Sequence, residues 1–236
     1  MNIDIKCFIS HSWRNGEHDF AIKLADALQL HGIEKAWLDE REIPGGGHIG
    51  DRVIRGIQAC DVFLFVMSPN AVASPWCCLE LEEALKQRSE SGIQIVPLLS
   101  KDCSVPEELK DLLYIDFRDE TQFEEVLEKL RTSIQEAYLV RVTVLEVLHG
   151  DNESRYDAAQ NLAVLKNRFT VPILARRLDP KIEPDPTVRR WLAHALGQIG
   201  GEEACAALRV ADACETELFA KEGIAEGLRA AACLVR

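Results

Sequence analysis

Val62-Phe63-Leu64-Phe65-Val66-Met67-Ser68-Pro69-Asn70 is the stretch whose reading decides the fold. Its first six residues are apolar without interruption, and Ser68-Pro69-Asn70 ends the run. A strand with one wet face alternates apolar and polar residues. An unbroken apolar strand is covered on both faces, as in the middle of a parallel sheet. Outward from it, Ile5-Lys6-Cys7-Phe8-Ile9-Ser10, Ala36-Trp37-Leu38-Asp39, Ile93-Gln94-Ile95-Val96-Pro97-Leu98-Leu99 and Tyr114-Ile115-Asp116-Phe117 read as four more strands. Helical spacing lies between them. Phe20, Ile22, Leu24, Ala25, Leu28 and Leu30 recur before a His31-Gly32 stop. Val53, Ile54, Ile57 and Ala59 give a short helix, one bearing Glu80 runs to about Ser89, and a long amphipathic one runs from Thr121 to about Tyr138. Strands alternating with helices over residues 1–140 predict an α/β fold with a five-stranded parallel doubly wound, flavodoxin-like sheet.

Such sheets gather ligands at the carboxyl ends of their strands. The loops after Ser10, Asp39 and Ser68 lie at that edge, as does the loop leading into Ser74-Pro75-Trp76-Cys77-Cys78-Leu79-Glu80-Leu81-Glu82-Glu83-Ala84-Leu85. Trp76 and Glu80 are four residues apart, so a helix stacks them on one face. An indole beside a carboxylate can hold a flat cationic ring and stabilise positive charge near it. The plainer reading is that a glutamate early in a helix complements the dipole, that Trp76 plugs the core, and that Glu82 and Glu83 are solvated or first-turn charges.

Charge and cysteine content narrow the class. With 27 basic and 39 acidic residues the net charge is −12, which argues against general affinity for nucleic acid or anionic lipid. The opening Met-Asn-Ile-Asp-Ile-Lys lacks the form of a signal peptide, and no apolar run is long enough to span a membrane. The eight cysteines sit mostly inside apolar segments without metal-ligand spacing, so buried reduced thiols, no metal and a cytoplasmic location are expected.

Five blocks then occur in a telling order: Phe8-Ile9-Ser10-His11-Ser12, Trp37-Leu38-Asp39, a Pro-Gly loop from Pro44, Val66-Met67-Ser68-Pro69-Asn70, and Ser74-Pro75-Trp76-Cys77 with Glu80-Leu81. Over residues 1–140 the chain resembles a TIR (Toll/interleukin-1 receptor) domain, closest to the bacterial and plant-like branches. The resemblance implies cleavage of NAD+ as substrate, with no cofactor, at the bond between nicotinamide and ribose. It puts the catalytic carboxylate at Glu80, Trp76 on the nicotinamide face, and Phe8, Ser10, His11 and Ser12 at the substrate. Arg41 becomes the candidate cation for the diphosphate. It also implies that Pro44, Gly45, Gly46, Gly47, His48 and Ile49 form a flap that contacts neighbouring copies, so that activity depends on self-association, in bacterial anti-phage defence or signalling. The product would be linear or cyclised ADP-ribose. Trp37 suits packing better than ligand contact. The chain departs from the family pattern at His11, Trp13 and Asn15 and in the richness of the flap in glycine. The alternative is a non-catalytic scaffold that signals through TIR–TIR contacts alone. A response-regulator receiver shares the sheet order but needs acidic residues where Ser10-His11 and Ser68-Pro69 stand, and a lysine where Phe117-Arg118 stands.

Residues 141–236 change character: rich in Ala, Leu, Arg and Glu, with no strand-like run. Ala159-Gln160-Asn161-Leu162, Ala193-His194-Ala195-Leu196 and Ala225-Glu226-Gly227-Leu228 recur 34 residues apart (159 to 193) and then 32 (193 to 225). That period fits paired-helix repeats. The segment from Asp185 to Gly200 resembles a HEAT repeat, with Asp185 or Thr187 as cap and Gly200-Gly201 as turn. An all-α HEAT-like module is expected, against the plainer alternative of a helical bundle. Having no catalytic constellation, it would bind a partner: its own TIR domain, another subunit or a separate protein.

Overall fold

A computed structural model of the chain describes residues 5–14, 16–33, 35–38 and 49–233. In chain order the elements are β1 (Lys6–Ser10), α1 (Glu17–Leu30), β2 (Lys35–Leu38), α2 (Ile49–Ala59), β3 (Val62–Met67), α3 (Pro69–Val72), α4 (Pro75–Ser91), β4 (Gln94–Leu99), β5 (Ile115–Asp116) and α5 (Phe123–His149). Five more helices follow: α6 (Asn152–Leu165), α7 (Val171–Arg177), α8 (Pro186–Ile199), α9 (Gly201–Cys214) and α10 (Leu218–Cys233). The chain divides into two compact units, one of residues 1–88 and 93–138, the other of residues 89–92 and 139–236.

The first unit is the parallel sheet, in the order β2-β1-β3-β4-β5. Every residue of β3 is buried, as its unbroken apolar run requires. Period-two geometry splits that run between two cores. Val62, Leu64 and Val66 join Cys7, Ile9, Val96 and Leu98 under α1 and the first half of α5. Phe63, Phe65 and Met67 join Phe8, Ile95 and Leu99 under α2 and α4. Ser10 at the end of β1 lies level with Phe65, so β3 runs on past it at the carboxyl edge.

Three details differ from the expected pattern. In α1 the buried apolar residues are Ala21, Leu24, Ala25 and Leu28, while Ile22 and Leu30 are exposed, so the inner stripe is narrower than the apolar one. Strand β5 has only two residues, paired to Leu98 and Leu99. The Ser-Pro-Asn stop after β3 opens a one-turn helix, α3, whose Ser68 Oγ accepts from Ala71 N at 3.0 Å.

The second unit is all helical. Ala159 and Leu162 fall on α6, Ala193 and Leu196 on α8, and all four are fully buried. Their counterparts on α10, Ala225 and Leu228, are half-buried. Asp185 caps α8 through Thr187 N at 2.8 Å, and Gly200 at φ 69 closes it. Helix α10 lies so close to α8 that a Cβ on Gly197 would come within 2.7 Å of Gly227 Cα. Small residues there are a packing requirement. Among the described residues no helix is long and apolar enough to cross a membrane.

Candidate active site

The site is built on α4, whose first residue is Pro75. Ser74 precedes it as a cap, its Oγ accepting from Cys77 N at 3.4 Å, and proline at the first helical position lacks only a donor the helix would leave unused. Glu80 therefore stands in the second turn, and the first turn holds no acidic residue. This revises the dipole reading for Glu80 and the first-turn reading for Glu82 and Glu83, because helix-end charge effects fade within one turn. Cys77, Leu81 and Ala84 face the sheet, while Trp76 and Glu80 share the adjoining face.

Glu80 is 2% exposed. Ser10, fully buried at the carboxyl end of β1, donates its Oγ hydrogen to Glu80 Oε2 at 2.5 Å. A carboxylate that deep needs donors to remain charged, and a hydroxyl donor to a carboxylate gives one of the shorter, stronger bonds. A second clasp lies beside it: Cys77 Sγ reaches the His11 carbonyl oxygen at 3.4 Å. The β1–α1 loop is thus fastened to α4 at two successive residues, Ser10 and His11.

Beside the clasp, α2 and α4 border a cavity of about 330 Å³. Val53, Ile54, Ile57 and Leu79 supply apolar wall, and Trp76 and Glu80 line it together. Glu82, Glu83 and Lys86 bring charge to the same cavity. Glu83 is not a solvated charge. It accepts from Gln58 Nε2 at 3.1 Å and from Gln87 Nε2 at 3.0 Å, tying α2 to α4 across the cavity wall. Glu82 is exposed, as expected.

The other candidates divide. Phe8 is fully buried with its ring stacked on Phe63, centroids 5.6 Å apart and 8° from parallel, so its side chain belongs to the core. His11 is also fully buried, its Nε2 2.9 Å from Nδ1 of His18 and its Nδ1 3.3 Å from the Ile9 carbonyl. If Nδ1–H serves that carbonyl, Nε2 is left to accept from His18. Trp13 stacks on His18 with centroids 4.0 Å apart, giving the loop an aromatic plug. Ser12 is buried and its Oγ accepts from Arg14 N at 3.2 Å, a turn within the same loop. Arg41, Pro44, Gly45, Gly46, Gly47 and His48 lie outside the described residues. Ile49 opens α2, which lends Gly50 to the cavity.

Two features had no clear signal in the sequence. The Ser10–Glu80 bond spans 70 residues, and only the sheet register brings its partners together. Glu83–Gln58 likewise depends on how α2 and α4 pack. The thiol of Cys7 is pushed far up by burial, then by Cys60 and Asp61, so it is an unreactive core group. Among the described residues no cluster of three or more His, Cys, Asp or Glu side chains could hold a metal ion.

The model of the TIR domain matches residues 7–131. The chain belongs to the TIR domain family. The model of HEAT repeats matches residues 140–229, so a TIR domain is followed by HEAT repeats. Among solved structures, the TIR domain of the Toll-related receptor TRR-2 from Hydra magnipapillata is 22% identical. It aligns over 55% of this chain and 97% of its own, with a TM-score of 0.46. The TIR domains of the activated Roq1 resistosome, which directly recognises the pathogen effector XopQ, are 18% identical over 56% of this chain and 99% of theirs, with a TM-score of 0.45. No curated protein sequence matches the chain at a significant level.

Proposed function

We infer that the TIR domain is an NAD+ hydrolase that cleaves the bond between nicotinamide and ribose. One observation carries the reading: Glu80, buried and clasped by Ser10, lines a largely apolar cavity together with Trp76. The chemistry suits these groups. In NAD+ the pyridinium ring leaves as neutral nicotinamide, taking the bonding electron pair, so no general acid has to protonate it. Positive charge moves to the ribose, which becomes oxocarbenium-like in the transition state. A carboxylate held beside it stabilises that charge most when its dipoles are fixed and water is excluded. Glu80 supplies the carboxylate, and the Ser10 hydroxyl fixes its orientation. Trp76 offers a π face to the cationic ring, an attraction that falls as the ring becomes neutral. Water then adds at the anomeric carbon and loses a proton, giving ADP-ribose.

The reaction is assembly-dependent in this reading. The flap at Pro44–Ile49 comes from the chain or from a neighbouring copy, Arg41 serves the diphosphate, and the HEAT repeats bind the partner that triggers assembly. The setting is the cytoplasm, in defence or signalling. Purified protein incubated with NAD+, alone and with a crowding agent, is expected to release nicotinamide. Release that survives Glu80→Gln would remove the mechanism. No release even when the protein is forced to oligomerise would favour a scaffold.

A further inference from the structure

A second buried carboxylate lies at the same edge of the sheet and takes no part in the reaction above. Glu17, the first residue of α1, is 2% exposed. Its Oε2 accepts from Ser68 Oγ at 2.7 Å, and its Oε1 from Asn70 Nδ2 at 3.0 Å and Lys101 Nζ at 3.4 Å. These donors come from the end of β3, from α3 and from just beyond β4. Ser68 is occupied on its other side by Ala71 N, and Ser100 ties back to the Met67 carbonyl. The partners of Glu17 are therefore themselves fixed to the centre of the sheet.

Glu17 holds the far end of the loop whose near end is Ser10. Helix α1 has no side-chain cap: Gly16 enters it at φ 74, in the left-handed region that glycine adopts without strain. A helix start without a cap has little of its own to fix the chain's entry. The next residue after Glu17 is His18, whose ring meets both His11 and Trp13. Anchoring the first turn through Glu17 sets His18, and His18 is the surface on which the aromatic part of the loop rests.

The geometry points to Glu17 as a positioning residue that clamps the β1–α1 loop in the conformation the site needs, without touching the reacting atoms. As to catalysis, this rests on the NAD+ reading. Glu80 and Ser10 are held by β1 and α4, so loss of the clamp disturbs the substrate-contacting loop more than the carboxylate. In Glu17→Ala the KM for NAD+ is expected to rise about tenfold, with kcat within about twofold of wild type. Hydrogen exchange gives a readout that needs no activity. Amides of residues 11–14 should exchange at least about tenfold faster, while those of β3 and α4 keep their protection. Glu17→Gln should restore slow exchange, because its carbonyl can still accept from Asn70 and its amide can donate to Ser68. Unchanged exchange in Glu17→Ala overturns the inference. So does equal acceleration throughout the sheet, which would mark a residue that only stabilises the fold. Should Glu17→Ala fail to fold, Asn70→Leu removes one donor from a half-buried position and is read in the same way. A wild-type protein that releases no nicotinamide would sink the NAD+ reading and leave the exchange result to decide this one.

Discussion

Glu80 and the buried glutamates of the helical unit keep different company. In the sheet unit, Glu80 takes a hydrogen bond from a neutral hydroxyl and lines a cavity. In the helical unit, Glu183 and Glu215 are matched to guanidinium groups. Glu183, fully buried, meets Arg155 at 2.8 Å and Arg177 at 3.1 Å. Glu215 holds Arg189 in a two-pronged pair, at 2.7 and 3.1 Å, while Arg189 also donates to the carbonyls of Glu183 and Pro184. Arginine neutralises the charge and spends its directional bonds on the turns between helices, which suits a rigid scaffold. A hydroxyl orients a carboxylate without neutralising it. The contrast separates a carboxylate beside a cavity from carboxylates whose partners fix the turns of a scaffold.

The sharpest way to break the contrast is to strand one of the architectural charges. Arg189→Ala leaves Glu215 buried without its guanidinium, and such losses cost about 3–5 kcal/mol. Denaturant melting should show the helical unit losing that much, while Arg189→Met combined with Glu215→Leu recovers most of it. At the other pole, Glu80→Gln keeps the shape of the side chain and removes its charge. By analogy with the loss of one transition-state electrostatic contact, kcat for nicotinamide release should fall about 10²–10³-fold, with folding stability nearly unchanged. A Glu80→Gln variant that unfolds as readily as Arg189→Ala would put Glu80 among the architectural carboxylates. Between them falls Gly197→Ala. Its added methyl would meet Gly227 Cα at 2.7 Å, and overpacking of this kind costs about 1–3 kcal/mol, again readable by melting.

The same contrast explains what could be read from the chain before its fold was known. The unbroken run of β3 was legible because burial on both faces leaves no choice of residue, and Trp76 with Glu80 was legible because i,i+4 spacing fixes a shared face. Ala193 and Leu196 were legible through their repeat. What depends on packing between elements was not. Nothing local to Ser10 announces Glu80, and nothing around Glu17 announces Ser68, 51 residues away. Phe8 shows a related limit: period-two alternation turns its ring under α2 and α4, into the core, which the Phe8–Ser12 block by itself does not announce. Ile22 and Leu30 looked like core because apolar residues on an outer face carry the same signature as those within. The arginine–glutamate pairs are the extreme case, since in sequence they are ordinary surface charges.

The smallest effect expected is the share of one architectural pair in a pH dependence. Burial raises the carboxyl of Glu215, but Arg189 and the amides of Glu217 and Thr216 outweigh it, and the net direction is down from the ordinary glutamate value. A group whose folded value lies below its unfolded value binds protons first in the unfolded chain. Its contribution is therefore complete above the unfolded value, about 4.3, and is lost as pH falls through the lower folded value. The helical unit should accordingly show an acid limb in its melting temperature beginning below about pH 4.3. Other lowered carboxyls, Asp151 at the start of α6 among them, share that limb, so the wild-type profile alone does not isolate the pair. The difference between wild type and the Arg189→Met, Glu215→Leu double variant does: the double variant should lose part of the acid limb and match the wild type in slope above pH 5. Superimposable profiles would mean that Glu215 adds nothing to the acid limb, because the double variant has no carboxyl there to titrate. The pair would then be a matter of packing geometry, and the difference between the two kinds of buried carboxylate would rest on Glu183 alone.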